Sequence, residues 1–475
     1  MSNKKTNEKG PELFAEYPNL YDGISGSDMD ACMAFAEDYK SFLDNSKTER
    51  EFTANSIEAA TQLGFVDIES KKKLKAGDKV YASIKGKGLI LAVIGKKGVS
   101  EGFNILGAHV DSPRLDLKPN PVFEDNETVY FKTHYYGGIK KYQWTTIPLA
   151  LHGVIYTKDG VEHTITVGED DSDPIFYITD LLPHLDKDQM KKPASDFIPG
   201  EHLNIVVGGI PVKTKKDKNS HEPYKEAILK YLFEKYGIVE KDFVTGELEV
   251  VPAVKARDVG FDRAFIAGYG HDDKVCAYPA LMALLEQEKP SKTCVTMLTD
   301  KEEIGSYSNS GAQSVLYENF LMEIVAKLGD GSLDMLQYRK VIAASKMLST
   351  DVTSAYDPKY AGEFEKRNTA FMSHGIKFEK YTGGRGKSGS SEATGDFVAE
   401  VARILDKNSI AWQTGELGRI DVGGGGTISA YMAKYGMSVL DAGVPVWSMH
   451  APYEVISKID LYYTYLAYKA FIENI

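Results

Sequence analysis

The sequence predicts an α/β protein in which a mostly parallel sheet, flanked by helices, is interrupted by a β-rich insertion. Three observations predict it. Apolar strand-like runs alternate with helical patterns towards both ends of the chain, and the stretch between them is of a different kind. Several of the outer apolar runs also end on a residue able to bind a metal ion.

The elements follow in order. From about 27 to 64 the pattern is helical, with Ala34, Phe35, Tyr39 and Phe42 at three- and four-residue steps. Strand-like runs follow at 79–84, 88–94 and 104–108. Residues 115–254 are rich in β-branched and aromatic side chains (TVYFKTHYYGG, GVIYT, HTITV) separated by Gly and Asp turns. One helix is expected there, at 222–236, and the charged segment KTKKDKNSHEPYKE reads as a solvated loop. After 254, apolar runs alternate with helical patterns such as AYPALMALLEQE and TGDFVAEVARILDK. The expected organisation is one discontinuous domain, 1–114 with 255–475, and an insertion domain at 115–254.

Composition narrows the class. A chain of 475 residues with 43% apolar and 26% charged residues is of ordinary globular make-up. Its net charge of -12 argues against general binding to nucleic acid or to an anionic membrane. Cys32, Cys276 and Cys294 form no C-x-x-C pair, so neither a disulfide framework nor a thiolate zinc cluster is expected. The opening MSNKKTNEKGPE has no apolar stretch of the signal-peptide kind, and no run approaches the ~18 apolar residues of a membrane span. These features predict a soluble, cytoplasmic protein.

Four apolar runs end on metal-binding side chains. NILGAHVDSP ends on His109 and Asp111, TCVTMLTDKEEIGS on Glu302 and Glu303, VIAASKMLSTDVTS on Asp351, and VPVWSMHAPYE on His450. GHDDKVCAYPALMALLE places Asp272 and Asp273 just ahead of a helical pattern. Each alone has an ordinary structural alternative: a hydrogen-bonded histidine, a solvated glutamate pair, an Asp N-cap. Ligands of open α/β sheets bind beyond the carboxyl ends of the strands, so residues recurring at that place would converge at one rim. Imidazole with carboxylate suits zinc, cobalt or manganese. Two histidines and three carboxylates supply a two-metal site, with one further carboxylate kept off the metals as general base towards a water. Asp111 lies on the same side of its extended segment as His109 and is placed to hold that imidazole.

These residues resemble the aspartyl aminopeptidase and vacuolar aminopeptidase I family of dinuclear metallopeptidases. GAHVDSPRLDLKP, IPLALHG, GHDDKVCAYPAL, DKEEIGSYSNSGAQS, STDVTSAYDP, GGGGTIS and VWSMHAPYE occur in family order along nearly the whole chain. The resemblance implies a phosphorylase/hydrolase-like metallopeptidase domain with a β-rich dimerisation insertion. It assigns His109, Asp272 and Asp351 to one ion and Asp272, Glu303 and His450 to the other. Asp272 bridges, ahead of Asp273 and often across a cis peptide, and Glu302 is the base. Two divalent ions per subunit are implied, Zn2+ first, with Co2+ or Mn2+ as alternatives. So are peptide substrates and a homo-oligomer, a tetrahedral dodecamer in the family. A histidine reaching in from a neighbouring subunit matches His152 of IPLALHG, for which an ordinary strand histidine is the alternative.

Ser354 and Asp357 stand where the family has histidines in D-x-x-H-A-x-H-P, so an acidic N-terminal preference does not carry over through them. Arg385 and Lys387, in YTGGRGKSGSSEA, are the candidate partners for a substrate carboxylate, with a flexible solvated loop as the alternative. Three rival readings remain. One is a related dinuclear peptidase of glutamyl, deblocking, leucine-preferring or broad specificity, or a carboxypeptidase. Another is a scaffold that keeps the fold without the chemistry. The third is nucleotide binding at GKS, but Tyr381 occupies the place of the first P-loop glycine.

Overall fold

A computed structural model describes residues 13–212 and 222–475. The polar N-terminus (1–12) and most of the charged segment expected as a loop (213–221) lie outside the described residues. Among the described residues, nine strands form the main sheet. Its order is Val66–Asp67, Lys79–Ile84, Gly88–Val93, Thr293–Thr299, Phe103–His109, Lys346–Ser349, Ser438–Gly443, Ile376–Glu379 and Trp412–Thr414. The four strands from Thr293–Thr299 to Ser438–Gly443 run parallel, and the antiparallel pairings lie outside them.

GLILAV shows why this segment becomes a strand: all six residues are buried, as in a sheet covered on both faces. Side chains alternate across a strand. Leu89, Leu91 and Val93 therefore join one core with the helices His271–Leu285 and Lys458–Asn474. Ile90 and Ala92 join the other with Val315–Leu328 and Met335–Ala343. Each such Leu or Ile contributes about 1.5–3 kcal/mol by burial. A polar substitution on either face would thus open one of two helix–sheet contacts.

The middle of the chain builds a separate six-stranded antiparallel sheet, entered at Arg114 and left at Pro252. Its order is Glu162–Val167, Leu149–Tyr156, Glu247–Pro252, Arg114–Asp125, Thr128–Tyr136 and Ile205–Gly208. It has its own core, which includes Trp144, Leu149, Phe131 and Val250. The expected helix is present as Pro223–Tyr236, with Pro at its first turn and Gly237 in the left-handed conformation at its end. Ile228, Leu229 and Leu232 turn its apolar side onto the sheet core.

A third sheet was not anticipated. It joins Arg257–Val259, Phe265–Gly268, Glu454–Ser457, Pro445–Trp447 and Thr353–Ser354. Strands of two to four residues are too short to show periodicity in sequence. Among the described residues, no helix is long and apolar enough to cross a membrane.

Candidate metal centre

His109 is the last residue of its strand, and Asp351 follows the end of the neighbouring parallel strand Lys346–Ser349. The third sheet carries the remaining approach. Phe265–Gly268 leads to Asp272, Thr353–Ser354 begins just after Asp351, and His450 lies in the loop between Pro445–Trp447 and Glu454–Ser457. Five elements distant in sequence therefore deliver their side chains to one place. Two groups of ligand atoms form there, His109 with Asp272 and Asp351, and Asp272 with Glu303 and His450.

Asp272 stands between the histidines. Its Oδ1 is 3.2 Å from His109 Nε2 and its Oδ2 is 3.2 Å from His450 Nε2. Asp351 Oδ1 lies 3.9 Å from His109 Nε2, and Glu303 Oε2 lies 3.6 Å from His450 Nε2. Asp273 points elsewhere, with Oδ2 accepting the His109 backbone N–H at 3.4 Å and Oδ1 buried without a partner. The Asp272–Asp273 peptide bond is cis.

The remaining imidazole nitrogens face carbonyl oxygens: His109 Nδ1 that of Asp111 at 3.0 Å, His450 Nδ1 that of Gly138 at 2.8 Å. A proton on each Nδ1 donates to those oxygens and leaves both Nε2 lone pairs aimed at Asp272, the arrangement of a metal-ligating histidine. The residues fit a pair of cations. Glu303 Oε1 is buried and unpartnered, and Asp272, Glu302, Glu303 and Asp351 gather with His109 and His450 around one cavity. Burial and then Asp272 push the Glu303 carboxyl well up, and burial and then Asp273 do the same to Asp351. Burial alone would depress His450, but Asp272 and Glu303 outweigh it and push the ring up to about 10.

Glu302 and Glu303 open a single 3-10 turn, Glu302–Ile304, set between Lys301 (φ 68°) and Gly305 (φ 97°). With 3.0 residues per turn, neighbouring side chains diverge by about 120°. That divergence lets one glutamate meet His450 while the other faces the cavity. Burial, then the charges of Asp111 and Asp272, push Glu302 up to about 7.

Asp111 has a wider task than orienting His109. Its Oδ1 accepts the backbone N–H of Glu302 at 3.1 Å and its Oδ2 that of Glu303 at 3.2 Å, so it caps the turn as an N-cap carboxylate would. Its carboxylate is 3.4 Å from His109 Nδ1, farther than its own carbonyl. Tyr136 Oη donates to Asp111 Oδ2 at 2.6 Å, and Arg114 and Lys301 lie 3.9 and 5.2 Å from the Tyr136 ring centre.

Tyr136 escaped the sequence reading, as did Glu454, whose Oε1 accepts the His450 N–H at 2.7 Å and whose Oε2 accepts the Asp272 N–H at 3.0 Å. The available signal was in the quoted stretches themselves, since VWSMHAPYE ends on Glu454 and TVYFKTHYYGG contains Tyr136. A Cβ on Gly137 would come within 3.2 Å of Glu303 Oε2, and one on Gly138 within 3.3 Å of His450 Nδ1. Glycine at both positions lets the inserted sheet approach the ligands.

A cavity of about 670 Å3 opens over the two groups. Its wall includes Glu302, Glu379, Thr382, the Gly424–Gly426 run and Tyr431. Arg385 and Lys387 do not line it, although Thr382 and Gly389 of the same loop do. Lys387 instead pairs with Glu392 at 3.2 Å and lies 3.7 Å from the Tyr381 ring centre. His152 is buried in the inserted sheet, its Nδ1 2.7 Å from Glu51 and its Nε2 3.0 Å from Glu169. Within one chain it is not part of the centre.

The chain is similar to known proteins along nearly its whole length. Residues 42–472 match the family model described as aminopeptidase I zinc metalloprotease, M18. A relative from Clostridium acetobutylicum, named probable M18 family aminopeptidase 1, is 50% identical over 98% of this chain and 99% of its own. The crystal structure of an M18 aminopeptidase from Thermotoga maritima superposes with a TM-score of 0.93 at 40% identity, covering 97% of this chain and all of that one. A structure described as the S. cerevisiae mApe1 dodecamer shares the fold at 20% identity, with a TM-score of 0.74 over 93% of this chain and 96% of that one. On its ligand geometry, its family match and its near-full-length relatives, the chain belongs to the M18 family of zinc aminopeptidases, metallohydrolases that cleave peptide bonds.

Proposed function

We propose that this aminopeptidase works with two divalent ions per subunit, most simply zinc, and removes single residues from peptide N-termini. The observation that carries the reading is Asp272, with one carboxylate oxygen 3.2 Å from each of two histidine Nε2 atoms. His109 and Asp351 would complete one ion's shell, and His450 and Glu303 the other's. When bound, such a pair polarises the scissile carbonyl and lowers the pKa of a water.

The chain supplies the rest. Glu302, facing the cavity beside the ligands, takes the proton of the attacking water and passes it to the leaving amine nitrogen. Asp111, held by Tyr136, fixes the backbone of Glu302 and Glu303 so that base and ligand keep their separate directions. Glu454 does the same for Asp272 and His450.

The reading includes the sheet within 115–254 as a separate, dimer-forming unit. Leu181, Leu182, Leu185, Met190, Ile210 and Phe233 are all at least half exposed there, apolar surface of the kind that subunit contacts cover. The assembly proposed is a homo-oligomer, and the yeast relative described as a dodecamer supports that size. Metal analysis, with mass spectrometry of products from a mixed peptide library under zinc, cobalt and manganese in turn, tests the reading. Two ions per chain and loss of N-terminal residues are expected. Trimming from the C-terminus would overturn it. The first residues released decide between acidic and leucine-type preference.

A further inference from the structure

Tyr431 and Lys434, in the wall of the cavity above the ligands, also line a second cavity of about 510 Å3, whose wall is completed by Ala312, Gln313, Arg339 and Tyr435. This shared wall lies on the side of the base. Gly305, which closes the turn carrying Glu302, offers its carbonyl to Gln313 Nε2 at 3.2 Å and to Tyr431 Oη at 3.3 Å. The group that returns a proton to the leaving amine marks the side on which the released peptide departs. The second cavity therefore lies along the path of the leaving chain.

Its charge is unequal to its surroundings. Arg339 is held by Glu318 at 2.9 Å. Lys434 is exposed and has no partner for its ammonium among the described residues. In a protein of net charge -12, this cation lies on the wall common to both cavities. We infer that the second cavity is a subsite for the carboxyl end of short peptide substrates, with Lys434 pairing with the terminal carboxylate. The inference rests on the aminopeptidase reading above, and it assigns the chain to short, free-acid peptides of the kind that upstream endopeptidase cleavage supplies.

An acidic side chain carries the same chemistry as a chain terminus, so the test separates the two. Peptides of two to five residues with a common N-terminal leucine are compared as free acids, as C-terminal amides, and as amides bearing an internal glutamate. The metal-loaded wild type is run beside Lys434→Gln and Lys434→Glu. The acid-to-amide ratio of kcat/KM cancels any general effect of a substitution. At one chain length the wild type should favour the acid by about two- to fivefold, through KM, as expected of an exposed ion pair. Lys434→Gln should bring the ratio to one, and Lys434→Glu should invert it. A flat ratio at every length, or one unchanged in both variants, overturns the subsite while leaving aminopeptidase activity standing. A gain confined to the internal glutamate overturns terminal recognition. Absence of N-terminal release from every peptide would instead remove the reading on which the subsite rests.

Discussion

His109 and His152 are both buried, and each is bracketed by carboxylates. Asp272 and Asp351 lie 3.2 and 3.9 Å from His109 Nε2, whereas Glu51 and Glu169 take separate nitrogens of His152 at 2.7 and 3.0 Å. The difference lies in what completes the charge. Lys47 pairs with Glu169 at 2.6 Å, Lys255 stands 3.6 Å away, and Glu51 also belongs to the capping box of the helix Glu49–Gln62. Around His109 and His450 no Lys or Arg comes within ion-pair distance of Asp272, Glu303 or Asp351 among the described residues. Carboxylates beside a buried histidine are thus not in themselves a metal signature. Uncompensated carboxylates, with imidazole lone pairs converging on a shared one, are.

The largest effect should come from Glu302→Gln. It is expected to keep two ions per chain by metal analysis while kcat falls about 10²- to 10⁴-fold, the usual worth of a general base. Loss of metal with activity would merge it with the ligands. Asp272→Ala should empty both positions, Glu303→Gln one, and Asp273→Ala neither. If Asp273→Ala alone abolishes binding, the bridge has been placed on the wrong aspartate. His152→Gln breaks a balanced network, and its cost should appear in denaturant unfolding as about 3–5 kcal/mol with metal content unaltered. A drop in bound metal there would dissolve the contrast between the two histidines. Tyr136→Phe keeps the ring near Arg114 and Lys301 but removes the bond to Asp111. Metal affinity measured by chelator competition should fall about 10- to 100-fold, as for other partners of metal-site residues. An unchanged affinity would confine Tyr136 to packing.

Much of the candidate site was legible because its signals are local. A largely apolar strand such as FNILGAH must end where its sheet ends, and a His or Asp at that point stands at the rim whatever the remaining topology. The pairings that hold the ligands were not legible. Tyr136 reaches Asp111 across 25 residues and Glu454 reaches Asp272 across 182, and neither contact leaves a trace in periodicity. The small sheet that carries Glu454 was missed for the same reason. Arg385 and Lys387 are a different case. Two cations near a Gly-rich turn attract attention in sequence, yet both have positive φ (51° and 60°), and neither side chain joins the cavity wall. The helix Pro223–Tyr236 and the β-rich character of the middle segment were readable from composition and spacing alone.

Tyr136 ends the strand Thr128–Tyr136 of the inserted sheet and Gly138 follows it, yet one bonds Asp111 and the other His450. Modules swapped between relatives at the apparent sheet boundary would separate these four residues from one another. A chimera that carries 134–138 with its own His109 and His450 segments should assemble its centre. One that takes them from a distant donor must re-evolve two hydrogen bonds before it can hold a cation. The seam along which this enzyme can be recombined passes beyond Tyr136, inside the insertion.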